Sequence, residues 1–371
     1  MTAALDWSPQ QKTAIASVSE WHKDGNQPVF RLFGYAGTGK TTIARHLAET
    51  VEGKAVFAAF TGKAAVVMQK NGCAGASTIH SLIYKAVQDQ NTGEVRYEID
   101  KKSAAADAAV ICIDECSMVN EEIGKDLLSF DRPVLVLGDP AQLPPVKGGG
   151  FFTDHEPDTM LTEIHRQAEG NPIVRLATDV REGRTVEPGE YGKSRVVGMD
   201  WIRANPDTVR KAEQVLVGKN ATRHAYNARL RSRAGYEGQY PVEGDRLVCL
   251  RNDKTTGIFN GGLFTVTRNA ETHDAASIKM AVQSIDFPGR AAIEVTVRRE
   301  CFDGGLDDVD WRDRMGFQEF DYGYALTVHK SQGSQWGDVV LFDESRVFRN
   351  EWRRHLYTGI TRAAERVTIV Q

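Results

Sequence analysis

The stretch Gly34-Tyr-Ala-Gly-Thr-Gly-Lys40-Thr41 decides the fold of this chain. It fits the pattern G-x-x-x-x-G-K-[ST], follows an apolar run at Val29–Phe33 and opens a helical stretch from Thr41 to Val51. Glycines allow backbone N–H groups to turn inward around phosphate oxygens, and a helix N-terminus adds partial positive charge. We therefore predict a phosphate-binding loop between a strand and a helix of an α/β sheet.

Three further apolar runs extend this pattern, at Ala55–Phe60, Val110–Ile113 and Val134–Leu137. Each has about the length of a strand and is apolar throughout, as strands buried on both faces of a parallel sheet are. Helical segments separate them, so the first part of the chain is predicted to be a parallel α/β lobe.

Two acids follow the run Val110–Ile113, and their position predicts their chemistry. Asp114 at the strand tip can complete a Mg²⁺ shell together with Thr41, while Glu115 is placed to orient and deprotonate an attacking water. Lys40 is expected to reach the β- and γ-phosphates of ATP. The predicted nucleotide-binding set from this part of the chain is Gly34, Ala36, Gly37, Thr38, Gly39, Lys40, Thr41, Thr42 and Asp114.

A third strand, Val134–Leu137, ends in Gly138-Asp-Pro-Ala-Gln142-Leu-Pro-Pro145. A turn alone explains the prolines, but it does not explain a polar amide at a third adjacent strand tip. Gln142 is therefore predicted to touch the γ-phosphate and to report its loss.

The remainder of the chain is predicted to hold a second α/β lobe and two insertions. Its expected helices are Asn171–Glu182, Ala221–Arg233, a stretch from Tyr322 to Ser331, and Glu351–Thr361; its expected strands are Gln214–Val217, Val339–Phe342 and Val367–Val370. A turn cluster at 88–93 precedes Val95–Ile99, which indicates a small hairpin. Four strand-like runs, Arg246–Leu250, Leu263–Thr267, Ile278–Val282 and Ala291–Val297, indicate a small β-barrel.

These patterns give a division of the chain into two lobes with one insertion each. The first lobe is predicted at 1–80 and 107–160, with the hairpin insertion at 81–106. The second lobe is predicted at 161–240 and 322–371, with the barrel insertion at 241–321.

Length and composition indicate an ordinary globular chain of two or three domains, with 371 residues, 41% hydrophobic and 26% charged. No apolar run of about 18 residues occurs and Met1–Pro9 lacks a signal-peptide pattern. We expect a cytoplasmic protein with no membrane contact. The five cysteines form no C-x-x-C pair, so each is expected to be a reduced, buried apolar residue.

Charge is segregated along the chain although the net charge is only −4. Arg210–Gly235 is strongly basic, whereas Glu300–Asp321 is strongly acidic. A protein that binds nucleic acid needs a basic channel rather than a basic surface. From charge alone, solvated faces are the simpler interpretation of both stretches.

Several motifs in order resemble those of superfamily 1 helicases, and most closely the RecD-like, Dda-like branch. In the first lobe these are the phosphate loop, Asp114-Glu-Cys-Ser-Met118 and the Gly138–Pro145 segment. In the second lobe they are Leu161-Thr-Glu-Ile-His-Arg166-Gln, Thr327-Val-His-Lys-Ser-Gln-Gly333-Ser and Tyr357-Thr-Gly-Ile-Thr-Arg362-Ala. The resemblance implies two RecA-like P-loop lobes, an SH3-like barrel at 241–321, and ATP and Mg²⁺ as cofactors. It also implies a monomer that acts in a bacterial cell or a phage-infected host.

The resemblance also implies roles at the nucleotide. Gln11 would read the adenine edge, and Gly333 would lie near the nucleotide on the second lobe. Arg166 and Arg362 would be arginine fingers that reach the γ-phosphate across the lobe interface, each typically contributing a factor of about 10³–10⁵ in rate. Together with Lys40, Glu115 and Gln142, the two arginines form the predicted catalytic set.

For DNA, the resemblance points to polar side chains on both lobes that suit sequence-independent backbone contacts. The predicted set is Phe60, Thr61, Lys63, Thr78, His80, Asn220, Thr327, His329 and Lys330. Relatives carry proline where this chain has Phe60, which could stack on a base or simply pack at its strand end. His80 and His329 could equally be core histidines. The hairpin stands where relatives carry a strand-separating pin, for which Tyr97 and Tyr84 are candidates.

The predicted function is ATP-dependent movement on single-stranded DNA, 5′ to 3′ as the resemblance implies, coupled to duplex unwinding. Expected partners are single-stranded DNA, single-strand/duplex junctions, and replication or recombination proteins. One alternative is a DNA-dependent ATPase subunit of a recombination or repair complex with little unwinding of its own. A phosphotransferase would need a hydroxyl-acceptor pocket, and the second set of motifs gives no reason to prefer it.

Overall fold

The structure is a computed structural model that describes residues 7–88, 95–145, 150–163, 170–253 and 256–371. The predicted finger Arg166 and the tip of the predicted hairpin lie outside the described residues. The elements of the chain up to residue 163, here called the first lobe, are α1 (Pro9–Asp24), β1 (Val29–Gly34), α2 (Lys40–Glu49), β2 (Ala55–Ala59), α3 (Gly62–Lys70), β3 (Ser77–Thr78), α4 (Ile79–Ile83), β4 (Tyr84–Gln88), β5 (Val95–Ile99), β6 (Val110–Asp114), α5 (Glu121–Leu128), β7 (Val134–Gly138) and β8 (Thr159–Leu161).

The remaining elements follow in chain order and belong to a second lobe and an insertion within it. They are α6 (Pro172–Arg181), β9 (Gly189–Tyr191), β10 (Ser194–Val197), α7 (Met199–Ala204), α8 (Asp207–Lys211), β11 (Gln214–Val217), α9 (Asn220–Arg233), β12 (Arg246–Cys249), β13 (Leu263–Thr272), β14 (Ser277–Ser284), β15 (Ile293–Arg298), α10 (Glu300–Asp303), β16 (Phe320–Tyr322), β17 (Ala325–Thr327), β18 (Trp336–Phe342), α11 (Trp352–Ile360) and β19 (Ala363–Val370).

The first lobe is built on a six-stranded parallel sheet with the order β3-β2-β6-β7-β1-β8. Its core strands β6 and β7 are buried at every residue, which confirms the apolar runs as strands covered on both faces. Helices α1, α2 and α3 cover one face of the sheet, and α4 and α5 cover the other. Because β6, β7 and β1 are neighbours, their carboxyl ends bring the predicted nucleotide residues together at one edge.

The insertion between α4 and β6 contains an antiparallel pair, β4 with β5, in the register Tyr84↔Ile99 to Gln88↔Val95. Tyr84 fixes its base, because its hydroxyl donates to the carboxylate of Asp126 on α5. Tyr97, on the other strand, is 69% exposed. Of the two tyrosines predicted for the pin, Tyr97 is therefore the more exposed, and Tyr84 is half-buried.

The second lobe has its own six-stranded sheet, with the order β17-β11-β18-β19-β10-β9, parallel except for β9. Helices α6 and α11 pack on one face and α7 and α8 on the other. The prediction of a helix from Tyr322 to Ser331 was wrong. This stretch contains the last residue of β16, the whole of β17 and a single 3₁₀ turn at His329–Ser331. Strand β17 was missed because it is buried on both faces and lacks the alternation that marks an exposed strand.

The insertion of the second lobe is a five-stranded antiparallel sheet with the order β15-β14-β13-β12-β16. Val297 of the first strand in this order also bridges Gln318, just before the last strand, so the sheet curls back on itself. Its core includes Leu247, Phe264 and Met280. We call residues 241–322 the antiparallel insertion; its assignment to the SH3-like class remains a prediction.

The basic stretch and the insertion are joined by two buried ion pairs. Arg223 on α9 is 4% exposed and pairs with Asp321, while Arg231, 8% exposed, pairs with the fully buried Asp245 at 3.0 Å. The solvated-face interpretation was wrong for these two arginines. They anchor the insertion on α9 instead, and Asp321 belongs to the acidic stretch that was also expected to face solvent.

Within the described ranges, the structure contains no helix with the length and apolar character required to cross a lipid bilayer.

Candidate nucleotide site and adjoining channel

The phosphate loop joins β1 to α2 with backbone geometry that only glycine adopts easily. Gly37 has φ 83° and Gly39, which caps α2, has φ 79°; a side chain is disfavoured in this left-handed region. The loop leaves Ala36 and Gly37 near the surface and places Thr38 inside, where its hydroxyl donates to Tyr35 O at 2.8 Å. Thr42 is exposed on the first turn of α2.

Lys40 folds back over the loop that precedes it. Its ammonium donates to Gly34 O at 2.6 Å and to Tyr35 O at 3.0 Å. These are neutral carbonyl acceptors, so a phosphate oxygen in the loop would be a stronger partner for the cation. The position fits the predicted reach towards the β- and γ-phosphates.

Thr41 and Asp114 meet at the edge of the sheet as the sequence predicts. The Thr41 hydroxyl donates to Asp114 Oδ2 at 2.8 Å, and Asp114 Oδ1 accepts the Glu115 N–H at 2.8 Å. Burial raises the pKa of Asp114, while the Thr41 hydrogen bond and the Lys40 charge oppose that rise. A hydroxyl and a carboxylate within one hydrogen bond are hard oxygen donors of the kind Mg²⁺ prefers, so these residues fit the ion.

Glu115 adopts a backbone conformation that is unfavourable for a residue with a side chain. Its φ of 55° and ψ of 42° lie in the left-handed region, which costs about 1–3 kcal/mol and is typical of functional positions. Burial raises the pKa of the Glu115 carboxyl, and the positive charge of Arg362 from the second lobe is the largest opposing influence. The predicted base and the predicted finger are therefore electrostatic neighbours across the two lobes.

Gln11 reaches the loop from α1. Its Oε1 accepts the Ser8 N–H at 3.0 Å, which completes a capping box, and its Nε2 donates to Thr38 O at 3.1 Å. The side chain is 2% exposed. Its neighbour Gln10 was not predicted, and its amide oxygen accepts the N–H groups of Thr162 and Glu163, where the segment carrying Arg166 begins.

The segment after β7 crosses from the first lobe into the core of the second. Leu143 is 1% exposed and packs with the apolar side chains of α6 and α11. Its N–H donates to the Thr358 hydroxyl at 3.0 Å and its carbonyl accepts from Gln332 Nε2 at 2.8 Å. Beside it, Gln142 is 7% exposed, and among the described residues its Oε1 finds no hydrogen-bond donor. A buried, unpaired amide oxygen is costly and fits a ligand-facing role.

Tyr357 on α11 connects the two lobes at the phosphate loop. Its hydroxyl accepts the Ala36 N–H at 2.9 Å and donates to Asp139 Oδ2 at 2.7 Å. Nearby, the Arg181 guanidinium of the second lobe lies 3.6 Å from the ring centroid of Tyr35. None of these cross-lobe contacts was predicted, although Tyr357 stands in the quoted motif five residues before Arg362.

Arg362 is held by its own lobe at the end of α11. It is 5% exposed, and its guanidinium donates to Thr358 O at 3.1 Å, to Ser334 O at 3.2 Å and to the Thr361 hydroxyl at 3.2 Å. All three acceptors are neutral, so the cation keeps its charge available for an anion in the cleft.

A cavity of about 1220 Å³ lies next to the nucleotide site, between the first lobe, the antiparallel insertion and the second lobe. Its walls include six of the nine residues predicted to bind DNA, namely Phe60, Thr61, Lys63, His80, His329 and Lys330. The hairpin contributes Tyr97, and the insertion contributes both basic and acidic side chains, among them Arg251 and Asp253. We call this cavity the channel.

The aromatic residues of the channel wall form a row on the first lobe. The ring of the exposed His80 lies 6.4 Å from that of Phe60 and 5.5 Å from that of Tyr84. His80 is therefore not a core histidine. His329 is half-buried against Phe348 and His355 of the second lobe, and burial lowers its pKa.

Three residues of the predicted DNA set do not line the channel, as far as the described residues define it. Thr78 is 4% exposed and its hydroxyl caps α4 by accepting the Ser81 N–H. Thr327 is 6% exposed and accepts the Lys330 N–H. Asn220 is exposed at the start of α9, where it accepts from Arg223.

Gln332 connects the channel to the nucleotide site, and the adjacent Gly333 lies against the channel wall. Gly333 was predicted to lie near the nucleotide, but it approaches Thr61 so closely that a Cβ would collide with the Thr61 hydroxyl. Gln332 lines the channel and also donates to Leu143 O, next to Gln142. A residue on the channel wall is thus one hydrogen bond away from the segment that carries the predicted γ-phosphate sensor.

Comparisons with known proteins agree with this architecture. Residues 6–198 match the family model described as an AAA domain, and residues 322–370 match a UvrD-like helicase C-terminal domain. The ATP-dependent RecD2 DNA helicase of Deinococcus radiodurans is 28% identical over 90% of this chain and 46% of its own length. The RecBCD enzyme subunit RecD of Mycobacterium tuberculosis is 25% identical over 93% of this chain and 67% of its own. The chain thus spans less than half of the Deinococcus relative.

Solved structures share the fold at low sequence identity. A Bacteroides Pif1 bound to single-stranded DNA superposes with a TM-score of 0.59 at 19% identity, covering 98% of this chain and 92% of that one. The Pif1 helicase of Candida albicans gives a TM-score of 0.57 at 18% identity, covering 99% and 94%. The two-lobed architecture is therefore the RecA-like P-loop helicase fold.

Proposed function

Because this chain belongs to the RecD-like branch of the superfamily 1 helicases, we propose that it hydrolyses ATP to move along single-stranded DNA and to open duplexes. The observation that carries this proposal is the hydrogen bond from Gln332, on the channel wall, to Leu143, beside the phosphate-binding edge of the sheet. Through this hydrogen bond, a movement of the phosphate-binding edge would displace the channel wall against which the DNA strand is proposed to lie.

We assign the chemistry at the nucleotide to the residues gathered at the sheet edge. Lys40 neutralises phosphate charge, Thr41 and Asp114 hold Mg²⁺, and Glu115 orients and deprotonates the attacking water. Bound Mg²⁺ supplies further neutralisation of phosphate charge. Gln142 reports the terminal phosphate through its amide N–H, which can donate to a phosphate oxygen. Arg362 provides positive charge from the second lobe, and Arg166, which lies outside the described residues, is proposed as a second finger.

We place the strand in the channel, where the wall residues provide backbone and base contacts. Thr61, Lys63 and Lys330 suit phosphates, and the row of Phe60 and His80 offers rings on which bases stack, worth roughly 1–3 kcal/mol each. Such contacts ignore sequence, as a motor requires. Tyr97 on the exposed strand of the hairpin is the proposed wedge at a single-strand/duplex junction.

We propose a 5′ to 3′ direction, which rests on the family resemblance. A duplex with a 5′ single-stranded tail, one with a 3′ tail and a blunt duplex are incubated with the protein, ATP and Mg²⁺. The proposal expects opening of the 5′-tailed duplex only. Opening of the 3′-tailed duplex alone would overturn the direction, and opening of neither, with intact ATP turnover, would favour the second candidate.

The second candidate is a DNA-dependent ATPase subunit of a recombination or repair complex. It is supported by a match to relatives that are named subunits of RecBCD. The two candidates share the nucleotide site and the channel, and they differ only in whether the chain alone separates strands.

A further inference from the structure

The hydroxyl of Tyr357 lies between the phosphate loop and the strand tip that carries Asp139, and the proposed mechanism does not use it. We propose that Tyr357 is a positioning residue that holds the Ala36 amide until the terminal phosphate of a nucleoside triphosphate takes that amide, and so transmits triphosphate occupancy to α11. This inference rests on the proposed function, since it takes the loop as an ATP site.

The Tyr357 hydroxyl both accepts and donates a hydrogen bond. It accepts the Ala36 N–H at 2.9 Å and gives its single proton to Asp139 Oδ2 at 2.7 Å. Asp139 is completely buried, and its other oxygen accepts the Ala141 N–H at 3.0 Å. Burial raises the pKa of Tyr357 well above its ordinary value, so the phenol keeps the proton that it donates.

The Ala36 amide belongs to the loop whose N–H groups bind phosphate. An amide that already has a partner must lose it before it can bind an anion. Ala36 follows Gly34 and Tyr35, whose carbonyls hold the Lys40 ammonium, and this ammonium is the group that reaches the β- and γ-phosphates. The Tyr357 hydroxyl therefore competes at the outer end of a bound triphosphate.

Residues of the second lobe also lie near the end of the nucleotide site that would hold the terminal phosphate. Tyr357 lies in the C-terminal half of α11, Arg362 directly follows the C-cap of that helix, and the Arg362 charge acts on Glu115. A diphosphate lacks the group that would displace the hydroxyl. Competition by Tyr357 is thus expected for triphosphates and not for diphosphates.

Release of the Tyr357 hydroxyl from the loop would affect other contacts that α11 makes. Thr358, the next residue, accepts the Leu143 N–H with its hydroxyl and the Arg362 guanidinium with its carbonyl. Loss of the Tyr357 contact to the loop therefore frees a helix that positions both the Gln142–Leu143 segment and Arg362. Tyr357 acts on these groups through the helix and need not touch the reacting atoms.

The test compares two nucleotides on the full chain. Dissociation constants for AMP-PNP and for ADP, each with Mg²⁺, are measured by calorimetry for the wild type and for Tyr357→Phe, which keeps the ring and removes the hydroxyl. We expect AMP-PNP to bind roughly threefold to tenfold more tightly to Tyr357→Phe, since one competing hydrogen bond is gone. ADP affinity is expected to change by less than about twofold, within the context-dependent spread of such contacts.

Thr358→Val is the matched control, because it removes a buried cross-lobe hydroxyl from the same helix that bonds Leu143 rather than the loop. If a looser lobe interface were the cause, each variant would change the dissociation constants for AMP-PNP and for ADP by the same factor. That result would overturn the proposal. Unchanged or weaker AMP-PNP binding in Tyr357→Phe would also overturn it. A wild type that binds neither nucleotide would instead refute the proposed function.

Tyr357→Phe leaves the buried Asp139 carboxylate without a donor, which could impair folding. In that case the double variant Tyr357→Phe/Asp139→Asn carries the same comparison, because the stranded group becomes neutral. Its reference is Asp139→Asn alone. The affinity of the double variant for AMP-PNP is again expected to rise more than its affinity for ADP. An equal change in the two affinities would contradict the proposal.

Discussion

The Asp286 carboxylate of the antiparallel insertion lies 2.8 Å from the Lys63 ammonium of the first lobe, and both side chains are less than one-fifth exposed. Lys63 also lies over the ring of Trp336 from the second lobe, 4.8 Å from its centroid. The cation proposed to hold a DNA phosphate is therefore already paired, at a point where three parts of the chain meet. A strand entering the channel must compete with Asp286 for it.

Neutralising Asp286 should tighten DNA binding. In Asp286→Asn the amide oxygen can still accept the Leu263 N–H, which Asp286 now accepts at 3.0 Å, while the competing charge is gone. We expect oligo-dT affinity to rise roughly twofold to fivefold, the range of a partly exposed ion pair, measured by fluorescence anisotropy at fixed salt. Glu294→Gln, an exposed acid of the same insertion, is the control; an equal gain there would assign the effect to net charge.

Lys40→Ala should abolish ATP turnover while the fold is retained. The ammonium donates to the neutral carbonyls of Gly34 and Tyr35, so its removal breaks no direct ion pair among the described residues. We expect at least a roughly 100-fold loss of turnover, since the lysine neutralises phosphate charge in the transition state. Lys102→Ala, on the exposed surface of the same lobe, should be unaffected. Substantial residual turnover in Lys40→Ala would refute the phosphate site.

Arg362→Lys should separate nucleotide binding from hydrolysis. Lysine keeps the charge but cannot reproduce the three hydrogen bonds that aim the guanidinium. We expect AMP-PNP affinity to stay near the wild-type value and the maximal hydrolysis rate to fall steeply, towards the factor of about 10³ typical of an arginine finger. Arg366→Lys, in an exposed pair with Asp338, is the control. Unchanged hydrolysis would show that Arg362 is no finger.

His355 should make the fold sensitive to mild acid. It is 1% exposed, and neither ring nitrogen has a hydrogen-bond partner within the part of the chain described; burial lowers its pKa to about 3. An unfolded histidine titrates near 6.5, so the unfolded chain takes the proton first. Stability is then complete above about pH 6.5 and falls as the pH drops towards 3, by up to about 1.4 kcal/mol per pH unit.

The measurement is the thermal unfolding midpoint between pH 7 and pH 5. The unfolding midpoint of His355→Leu should fall by less over this pH range than that of the wild type, because leucine takes no proton. His155→Leu, at an exposed position, should follow the wild type. Parallel slopes for wild type and His355→Leu would contradict the assignment of the acid sensitivity to His355.

The nucleotide site could be predicted because its geometry is mostly local. The local strand–loop–helix segment determines where the glycines of the phosphate loop lie. In the same way, a buried strand determines where the acids at its end lie. Thr41 and Asp114 are 73 residues apart, yet they meet because β1 and β6, with β7 between them, end at the same edge of one parallel sheet. The sequence pattern of strands and helices was sufficient for this contact.

Contacts between the lobes could not be predicted in the same way. Ala36 and Tyr357 are separated by 321 residues, and no periodicity indicates which turn of α11 faces the loop. Arg223 and Arg231 are charged positions on a helix, a pattern that favours solvent; only their partners Asp321 and Asp245, on another sheet, make burial tolerable. The pairing of side chains across separately folded units is a tertiary property.

We propose above all that a DNA strand in the channel and a nucleotide at the sheet edge influence each other through the interface between the two lobes. The most direct measurement is steady-state ATP turnover with and without saturating oligo-dT, on the full chain with Mg²⁺. The account predicts that turnover rises several-fold when the oligonucleotide is present. Equal turnover with and without it, at concentrations where oligonucleotide binding is demonstrated, would contradict the account.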